Sequence, residues 1–269
     1  MTQTIVLIGA GSMGFAMLSG WLRQDPTLTL HVVEPFTEFR RRAADLGARA
    51  VETLDRLPAG LRADLVVLAV KPQMVAPVLA QTGLLAANGA GFVSVAAGIT
   101  LGAMQKAMPV AAPVIRCMPN TPAAIGMGMM VLCAGPAVPD ATRALADRLM
   151  ATSGAVAWIQ DEALMDAVTA ISGSGPAYVF HFIEALTEAG AQLGLPPDIA
   201  GLLARQTVAG AAQMAARAEV SPGTLREQVT SPNGTTAAAL TVLRDGGALQ
   251  DLLIRATTAA RDRGVELGR

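Results

Sequence analysis

The sequence contains few of the residues that mark common catalytic, metal-binding and nucleic-acid-binding sites. Its 269 residues include two cysteines and two histidines, charged residues make up 15%, and the formal net charge is −1. Such a chain has no long run of like charge for a nucleic-acid groove or an anionic membrane surface. The two cysteines provide neither a disulfide framework nor metal-ligand spacing. We therefore expect no metal site, and neither nucleic acid nor membrane as a partner.

Long apolar runs and aromatic residues are also scarce. The hydrophobic fraction is 52%, but much of it is alanine. The strongest compact runs, Thr4–Ile8 and Leu65–Val70, are far shorter than the ~20 residues of a membrane-spanning helix. Aromatic residues make up 3%, so packing rests on small and aliphatic side chains. The first residues lead into a strand pattern without a basic segment or cleavage site, and we expect a soluble cytoplasmic protein.

The first half of the chain alternates short β-branched runs with helical stretches. This alternation predicts βαβ units around a mostly parallel sheet that is buried on both faces. The strand candidates are Thr4–Ile8, Leu30–Val33, Leu65–Ala69, Gly91–Val95, Pro113–Arg116, Gly128–Cys133 and Trp158–Ile159. The helix candidates between them are Met13–Gln24, Glu38–Leu46, Met74–Gln81 and Ala141–Ala151.

The second half has no strand signal after Asp161. Apolar residues there recur at helical spacing, and Gly and Pro separate the segments. The predicted helices are Pro176–Leu193, one beginning at Asp198, Pro222–Gln228, Thr235–Asp245 and Ala248–Gly264. We therefore predict an α/β domain at residues 1–160 and an all-α domain at residues 161–269.

A glycine-rich turn follows the first strand candidate directly. Its pattern G-x-G-x-x-G, between a strand and a helix, is formed by Gly9, Ala10, Gly11, Ser12, Met13 and Gly14. Gly9 permits a tight turn, Gly11 lets backbone approach a pyrophosphate, and Gly14 allows the helix to pack closely on the strand. The pyrophosphate would lie at the positive end of the helix. In this context the pattern predicts a dinucleotide site and a Rossmann-like domain.

The end of the second strand bears on the choice between NADH and NADPH. Glu34 lies twenty residues after Gly14, where an acidic side chain would accept hydrogen bonds from the ribose diol. A 2′-phosphate would be repelled there. The three arginines at 40–42 could instead reach a phosphate, although arginines on a helix more often form a solvated face. The sequence favours NADH.

Three further strand ends carry candidates for the cofactor side. Ligands bind at the carboxyl edge of open α/β sheets, and Pro72 stops the third strand so that Lys71 is left at that edge. Small residues after the next strand leave room for a flat ring. Asn120 could hydrogen-bond a carboxamide or cap the turn before Pro122. These candidates are Ala69, Val70, Lys71, Pro72, Ala96, Ala97, Gly98 and Asn120.

Acid–base groups are few. We interpret His31, which opens a strand, and His181, which lies in an apolar helix, as structural. The motifs H-E-x-x-H, C-x-x-C and G-x-S-x-G are absent from the sequence. Hydride transfer to an electrophilic acceptor needs none of them. Two elements of the helical half, "SGSGPAY" at 172–178 and "TSPNGTT" at 230–236, place amides and hydroxyls at helix N-termini and so suit an anion such as a carboxylate.

Five motifs together resemble those of one enzyme family. In their order and spacing, "IGAGSMG", "AVKPQ", "RCMPNTP", "SGSGPAY" and "TSPNGTT" are similar to pyrroline-5-carboxylate reductases essentially end to end. The resemblance implies reduction of the cyclic imine carboxylate Δ1-pyrroline-5-carboxylate to L-proline by NADPH or NADH. It also implies a helical substrate and dimerisation domain, and homodimers that often assemble further into a ring of five, a decamer.

The resemblance also assigns roles to residues of the helical half. It implies that the backbone amides of Gly234, Thr235 and Thr236 hold the substrate carboxylate, while the Thr236 hydroxyl bonds the ring nitrogen or the carboxylate. Ser174 would lie close to the nicotinamide. Glu162 and Glu219, the latter from the helix before the loop, would approach the substrate pocket, although either could be a surface carboxylate.

This chain departs from the family pattern at two positions. The family commonly carries glycine where this chain has Asn233, and asparagine tolerates the left-handed region better than other non-glycine residues. Family members that use NADPH often carry serine or arginine where this chain has Glu34.

Two other functions remain as alternatives. β-Hydroxyacid dehydrogenases share the glycine-rich start and a helical second domain, but they use a catalytic lysine after the Rossmann part, and this chain has no lysine after Lys106. A non-catalytic dinucleotide-sensing oligomer would have no use for an anion cradle such as "TSPNGTT".

Overall fold

The computed structural model, which describes residues 2–268, contains an eight-stranded sheet with helices on both faces. The strand order is β3-β2-β1-β4-β5-β6-β7-β8, and all neighbours are parallel except the pair β6 and β7. The strands are β1 (Thr4–Ile8), β2 (Thr29–Val33), β3 (Arg49–Val51), β4 (Leu65–Leu68), β5 (Gly91–Ser94), β6 (Val114–Met118), β7 (Gly128–Ala134) and β8 (Gly154–Ile159). The order reverses between β1 and β4, which makes their carboxyl ends the expected ligand crevice.

Seven α-helices accompany the strands in the described part of the first 174 residues. They are α1 (Ser12–Gln24), α2 (Thr37–Asp45), α3 (Pro72–Leu79), α4 (Gly83–Ala87), α5 (Leu101–Ala107), α6 (Asp140–Ala151) and α7 (Met165–Val168). Short 3₁₀ turns occur at Leu54–Arg56, Thr121–Ile125 and Glu162–Leu164, and a π-helical turn at Thr169–Gly173.

The core of this part lies on both faces of the sheet. Alternation along β1 sends Ile5 and Leu7 to one hydrophobic cluster and Val6 and Ile8 to the other. With few aromatics available, aliphatic side chains fill most of both clusters. Trp21 of α1 is fully buried, and its indole Nε1 donates to the Leu149 carbonyl at 2.9 Å.

The chain divides into two compact units. The first unit comprises the residues up to Ser174 together with those from Ala260 onward, and the helical unit comprises Gly175–Ala259. The last five α-helices are α8 (Gly175–Gln192), α9 (Pro197–Arg217), α10 (Pro222–Gln228), α11 (Thr235–Arg244) and α12 (Ala248–Leu267), with a 3₁₀ turn at Asp245–Gly247 before α12.

The helical unit packs closely where small residues meet. A Cβ on Gly190 of α8 would lie 3.1 Å from the Ala200 Cβ of α9. Ala200 and Ala204 are the buried hydrophobic residues within Gly175–Ala259, while many large apolar side chains of this unit are exposed. Among the residues that the structure describes, no helix combines the length and apolarity needed to span a bilayer.

The structure confirms the predicted fold class and corrects several details. The short strand β3 and the short helices α4 and α5 were not predicted. Helix α9 begins at Pro197 rather than Asp198, because the fixed φ of proline suits the first helical position. The assignment of Glu219 to a helix is also wrong, since it lies in the connection between α9 and α10.

Candidate functional site

The glycine-rich turn after β1 has room for a ligand at one position only among its three glycines. Gly9 has φ +94°, and a Cβ there would lie 2.6 Å from the Ala69 carbonyl oxygen. A Cβ on Gly14 would overlap the Gly9 carbonyl oxygen, whereas a Cβ on Gly11 would meet nothing within 4 Å. The turn is therefore closed against β4 and α1 but open above Gly11, an arrangement that fits a dinucleotide pyrophosphate at the N-terminus of α1.

Glu34, at the end of β2, braces this turn from the side. It is 4% exposed. Its Oε2 accepts a hydrogen bond from the Ala10 amide at 2.7 Å, and its Oε1 accepts one from the Phe36 amide at 2.9 Å. Both carboxylate oxygens therefore have backbone partners, a contact over 24 residues that the sequence pattern did not indicate.

The three arginines of α2 differ in their surroundings. The Arg40 guanidinium donates to the carbonyls of Glu34 at 2.8 Å and Pro35 at 2.9 Å, so it holds the chain beside Glu34. The Arg42 guanidinium lies 4.1 Å from the centre of the Phe15 ring. Arg41 is exposed.

The next two strand ends place the other predicted cofactor residues. After β4, Ala69 and Val70 are half-buried, Lys71 is exposed, and Pro72 opens α3. After β5, Ala96 is buried, and its amide donates to the Ser94 hydroxyl at 3.3 Å. Ala97 is exposed, and the adjacent Gly98 has φ +75°, a left-handed conformation that suits glycine.

Asn120, after β6, is occupied by the protein itself. Its Oδ1 accepts from the Met129 amide at 2.8 Å, and its Nδ2 donates to the Ser172 carbonyl at 3.1 Å. The alternative that its side chain caps the turn before Pro122 is wrong, since the turn has no side-chain cap. Asn120 instead ties the end of β6 to the start of β7 and to the segment before Ser174.

Glu162 also takes part in a network within the first unit. Its Oε1 accepts from the Arg116 Nη1 at 3.0 Å and from the Leu101 amide at 2.8 Å. Arg116 lies on β6 and Leu101 opens α5. The family resemblance implies that Glu162 approaches a substrate pocket, but the sequence did not predict these two partners.

Ser174 follows a π-helical turn. The Ser174 amide donates to the Thr169 carbonyl at 2.8 Å, five residues back, and the side chain is half-buried. A Cβ on Gly173 would overlap the Met118 side chain, so this segment passes close to the end of β6. π-Helical turns occur often at functional sites.

The loop at 230–236 forms a tight turn followed by a helix N-terminus. The Gly234 amide donates to the Ser231 carbonyl at 3.1 Å, and Asn233 has φ +59°. Proline followed by a residue at positive φ is typical of a type II turn. Gly234 precedes α11 in the N-cap position, without a side-chain cap bond. Because the first amides of a helix lack intrahelical partners, this end can bind an anion.

Both thiols and the His31 imidazole lie in buried surroundings that suit structural roles. Burial raises the pKa of Cys117 to about 12, and burial is the largest cause of the raised pKa of Cys133. Burial, and secondarily Arg49, lowers the pKa of His31, whose Nδ1 has no hydrogen-bond partner. His181 is exposed, with its Nδ1 3.1 Å from Glu184. Within residues 2–268 no group of three or more His, Cys, Asp or Glu residues could hold a metal ion.

The structure gathers one set of predicted residues at a single sheet edge. Since β1, β2, β4, β5 and β6 run parallel, their carboxyl ends share this edge. The residues that follow these ends include Gly9 to Gly14, Glu34, Lys71, Ala97 and Asn120. The remaining predicted substrate residues, Glu219, Gly234, Thr235 and Thr236, belong to the helical unit.

Comparison with known proteins gives matches along the whole chain. Residues 162–267 match the family described as pyrroline-5-carboxylate reductase dimerisation, and residues 4–98 match that described as NADP oxidoreductase coenzyme F420-dependent. The pyrroline-5-carboxylate reductase of Pseudomonas aeruginosa is 40% identical over 268 residues, which cover 99% of this chain and 97% of that protein.

Solved structures give the same result. A pyrroline-5-carboxylate reductase from Coxiella burnetii is 36% identical, with a TM-score of 0.93 and full coverage of both chains. The Plasmodium falciparum pyrroline carboxylate reductase, solved with NADP bound, is 26% identical, with a TM-score of 0.82 over 99% of this chain and 98% of that one. With the five motifs, the sheet edge and the helical unit in agreement, the chain belongs to the pyrroline-5-carboxylate reductase family.

Proposed function

We propose that the sheet edge of the first unit holds NAD(P)H and that the loop at 230–236 holds the substrate carboxylate. The reaction is that of the family: L-1-pyrroline-5-carboxylate is reduced to L-proline, the last step of proline biosynthesis. The observation that supports assigning the substrate carboxylate to this loop is the turn at Asn233. Asn233 has φ +59°, and the turn leads into the N-terminus of α11, which has no side-chain cap. A carboxylate is the anion that the substrate offers to such a site.

The first unit supplies the cofactor contacts in this proposal. A bound nicotinamide dinucleotide would supply the hydride. The open space above Gly11 would receive the pyrophosphate, and Glu34 would fix the Ala10 amide beside it. Lys71 and Ala97, both exposed at the same edge, and Ser174 would line the nicotinamide side.

The helical unit supplies the substrate contacts. The amides of Gly234, Thr235 and Thr236 would hold the carboxylate, and the hydroxyl of Thr236, a half-buried residue, would bond the ring nitrogen or the carboxylate. Glu219, exposed before α10, would favour the iminium form through its charge. Because a protonated imine accepts hydride readily, these groups mainly have to align the reacting atoms within about 3–3.5 Å.

We also propose that NADH is preferred to NADPH. The buried Glu34 carboxylate lies next to the glycine-rich turn, and its charge would repel a ribose 2′-phosphate. Arg40, the arginine of α2 nearest to Glu34 in the chain, is already bonded to backbone carbonyls. The relative from P. falciparum was solved with NADP, so the preference rests on this chain's own residue at position 34.

The chain associates with itself through its dimerisation domain. We propose further that the dimers assemble into a decamer, a pentamer of dimers. The exposed apolar side chains of the helical unit support an extensive interface between copies. Cytoplasmic location remains a prediction from the sequence.

One assay tests the function and the cofactor preference. Oxidation of NADH and of NADPH is followed at 340 nm with racemic pyrroline-5-carboxylate, and 1-pyrroline, which lacks the carboxylate, serves as the control substrate. We expect turnover of the carboxylate with a higher kcat/KM for NADH, and a far lower kcat/KM for 1-pyrroline. Equal kcat/KM for both substrates would contradict the proposal that the loop at 230–236 binds the substrate carboxylate. A strong preference for NADPH would contradict the proposed effect of Glu34 on cofactor choice.

A further inference from the structure

Arg116 is a buried cation in the middle of the sheet. It lies on β6 between Ser94 of β5 and Cys133 of β7, and it is 4% exposed. A guanidinium buried this deeply is stable only with an anionic or strongly polar partner. That partner is Glu162, whose Oε1 lies 3.0 Å from the Arg116 Nη1.

The same carboxylate oxygen holds the beginning of α5. Glu162 Oε1 accepts from the Leu101 amide at 2.8 Å, and the Thr100 hydroxyl accepts from the Ala103 amide at 3.1 Å. The chain just before this helix contains Ala97 and Gly98, the residues that would line the nicotinamide side. Displacement of the Glu162 carboxylate would therefore release the anchored end of that loop.

The chain after Glu162 leads to the other nicotinamide-side residue, Ser174. Between them, the Asn120 Nδ2 donates to the Ser172 carbonyl at 3.1 Å, and Gly173 packs against Met118. Strand β6 and the residues just after it are thus joined to residues 162–174 at both ends of that segment, through Arg116 at one end and through Met118 and Asn120 at the other.

We propose that Arg116 and Glu162 are a pair of positioning residues that set the nicotinamide-side loop 95–100 and Ser174 relative to strand β6. Neither side chain needs to touch the cofactor or the substrate, because the pair acts through the Leu101 amide and through the segment that begins at Glu162. This proposal rests on the proposed function of the sheet edge. It replaces the direct role in substrate binding that the family resemblance implies for Glu162.

The substitution Glu162→Gln tests the pair with little change of size. We expect kcat to fall by about 10–100-fold, since misplacement of reacting groups by about 1 Å costs this much, while the KM for pyrroline-5-carboxylate changes by less than about threefold. The deuterium isotope effect on kcat, measured with 4-deuterated NADH, should rise because hydride transfer becomes slower than product release. Glu162→Asp keeps the charge and should recover part of the loss.

A second readout needs no cofactor and no turnover. Amide hydrogen exchange of residues 95–101 should be faster in Glu162→Gln than in the wild-type protein. The matched control is Asp147→Asn, because the Asp147 Oδ1 accepts from the Trp158 Nε1 at 2.8 Å in the same unit. This control should change neither the isotope effect nor the exchange of residues 95–101.

Three results would overturn the positioning role. They are an unchanged kcat and isotope effect in Glu162→Gln, a loss confined to the KM for pyrroline-5-carboxylate, and unchanged exchange of residues 95–101. If Glu162→Gln does not fold, the proposal is tested by measuring kcat with its isotope effect, the KM and the amide exchange on Glu162→Asp instead. A smaller change is expected in each. Absence of turnover in the wild-type protein would instead refute the proposed function, and the exchange experiment would still test the pair.

Discussion

Single buried polar groups in this chain fall into two kinds, those with partners and those without. The carboxylate of Glu34 and the guanidinium of Arg116 are both buried, and each has hydrogen-bond partners from other parts of the chain. His31 Nδ1 and Ser172 Oγ are buried without a partner. The paired groups connect segments far apart in sequence, whereas an unpaired group costs stability where it lies.

Thr236→Ala tests the residue on which the proposed chemistry depends most. We expect kcat/KM for pyrroline-5-carboxylate to fall by about 10–100-fold, the effect of losing one hydrogen bond of ~1.5–3 kcal/mol to a charged substrate. The control is Thr241→Ala on the same helix, where the hydroxyl donates to the Ala237 carbonyl at 3.0 Å. Equal kinetics for wild-type protein and Thr236→Ala would exclude the hydroxyl from the mechanism.

His31 predicts a pH dependence of stability. Burial lowers its pKa in the folded protein below the ordinary value of 6.5, so the unfolded chain binds the proton more tightly. The stability that the neutral ring maintains is present above about pH 6.5 and is lost as the pH falls through the folded pKa. Thermal unfolding of His31→Leu from pH 7.5 to 5 should therefore depend less on pH than that of the wild-type protein.

Removal of an exposed histidine provides the comparison. His181→Leu changes a ring on the surface of α8 and is the matched histidine-to-leucine control. If His31→Leu and the wild-type protein lose stability in parallel below pH 6.5, the loss of stability at low pH is caused by carboxylates rather than by His31.

At the level of elements, the turn before α11 depends on one unusual backbone conformation. Asn233 is the one non-glycine residue with positive φ among residues 2–268. A side chain other than that of asparagine or aspartate costs about 1 kcal/mol or more there. Asn233→Ala should lower the free energy of unfolding by about 1 kcal/mol and raise the KM for pyrroline-5-carboxylate. The free energy of unfolding of Asn233→Gly should stay within about 0.5 kcal/mol of the wild-type value.

Urea unfolding and steady-state kinetics at one protein concentration measure both effects. A larger loss for Asn233→Gly than for Asn233→Ala would show that the amide side chain, not the backbone conformation, explains asparagine at this position.

The elements that the sequence predicted well are those with long, regular patterns. Strands β1, β4 and β5 and helices α1, α8 and α10 lie within one or two residues of their predicted bounds, because buried runs and helical spacing mark them clearly. Strand β3 has three residues, and α4 has five, too few to show a period. The antiparallel direction of β7 could not be predicted, because hydrophobic spacing carries no information about strand direction.

The candidate site divides in the same way. Local patterns predicted the conformations of Gly9 and Asn233, because each requirement is contained in a few neighbouring residues. The bonds from Glu34 to Ala10 and from Glu162 to Arg116 and Leu101 join residues 24 to 61 positions apart. Such contacts depend on the folded sheet, and no local pattern in one sequence contains them.

On the scale of the whole molecule, the two units differ in how much apolar surface they bury. The first unit encloses two hydrophobic clusters, whereas the helices of Gly175–Ala259 bury Ala200 and Ala204 and expose larger side chains. The proposed association of copies through this unit would cover that surface. The boundary between the two compact units, at Ser174 and Gly175, falls inside the "SGSGPAY" motif. The domain bounds of 1–160 and 161–269 remain a prediction from the sequence.

Phe182→Asp tests the contribution of this surface to self-association. The Phe182 side chain on α8 is 50% exposed in the single chain, and a charge there should oppose burial against a second copy. Sedimentation velocity at micromolar concentration should show smaller species than for the wild-type protein, with lower activity at the same concentration. The control is His181→Asp, one residue away, and equal sedimentation of wild type and Phe182→Asp would place the interface elsewhere.

The position of the two tryptophans has a spectroscopic consequence. Trp21 is enclosed in the core of the first unit, and Trp158, on β8 of the same unit, donates to Asp147. The residues from Gly175 to Ala259 contain one tyrosine and no tryptophan. Indole emission excited at 295 nm therefore observes the nucleotide-binding half alone, while far-ultraviolet circular dichroism records the helices of both halves. The two signals, recorded on one sample, can separate the melting of each half without any label.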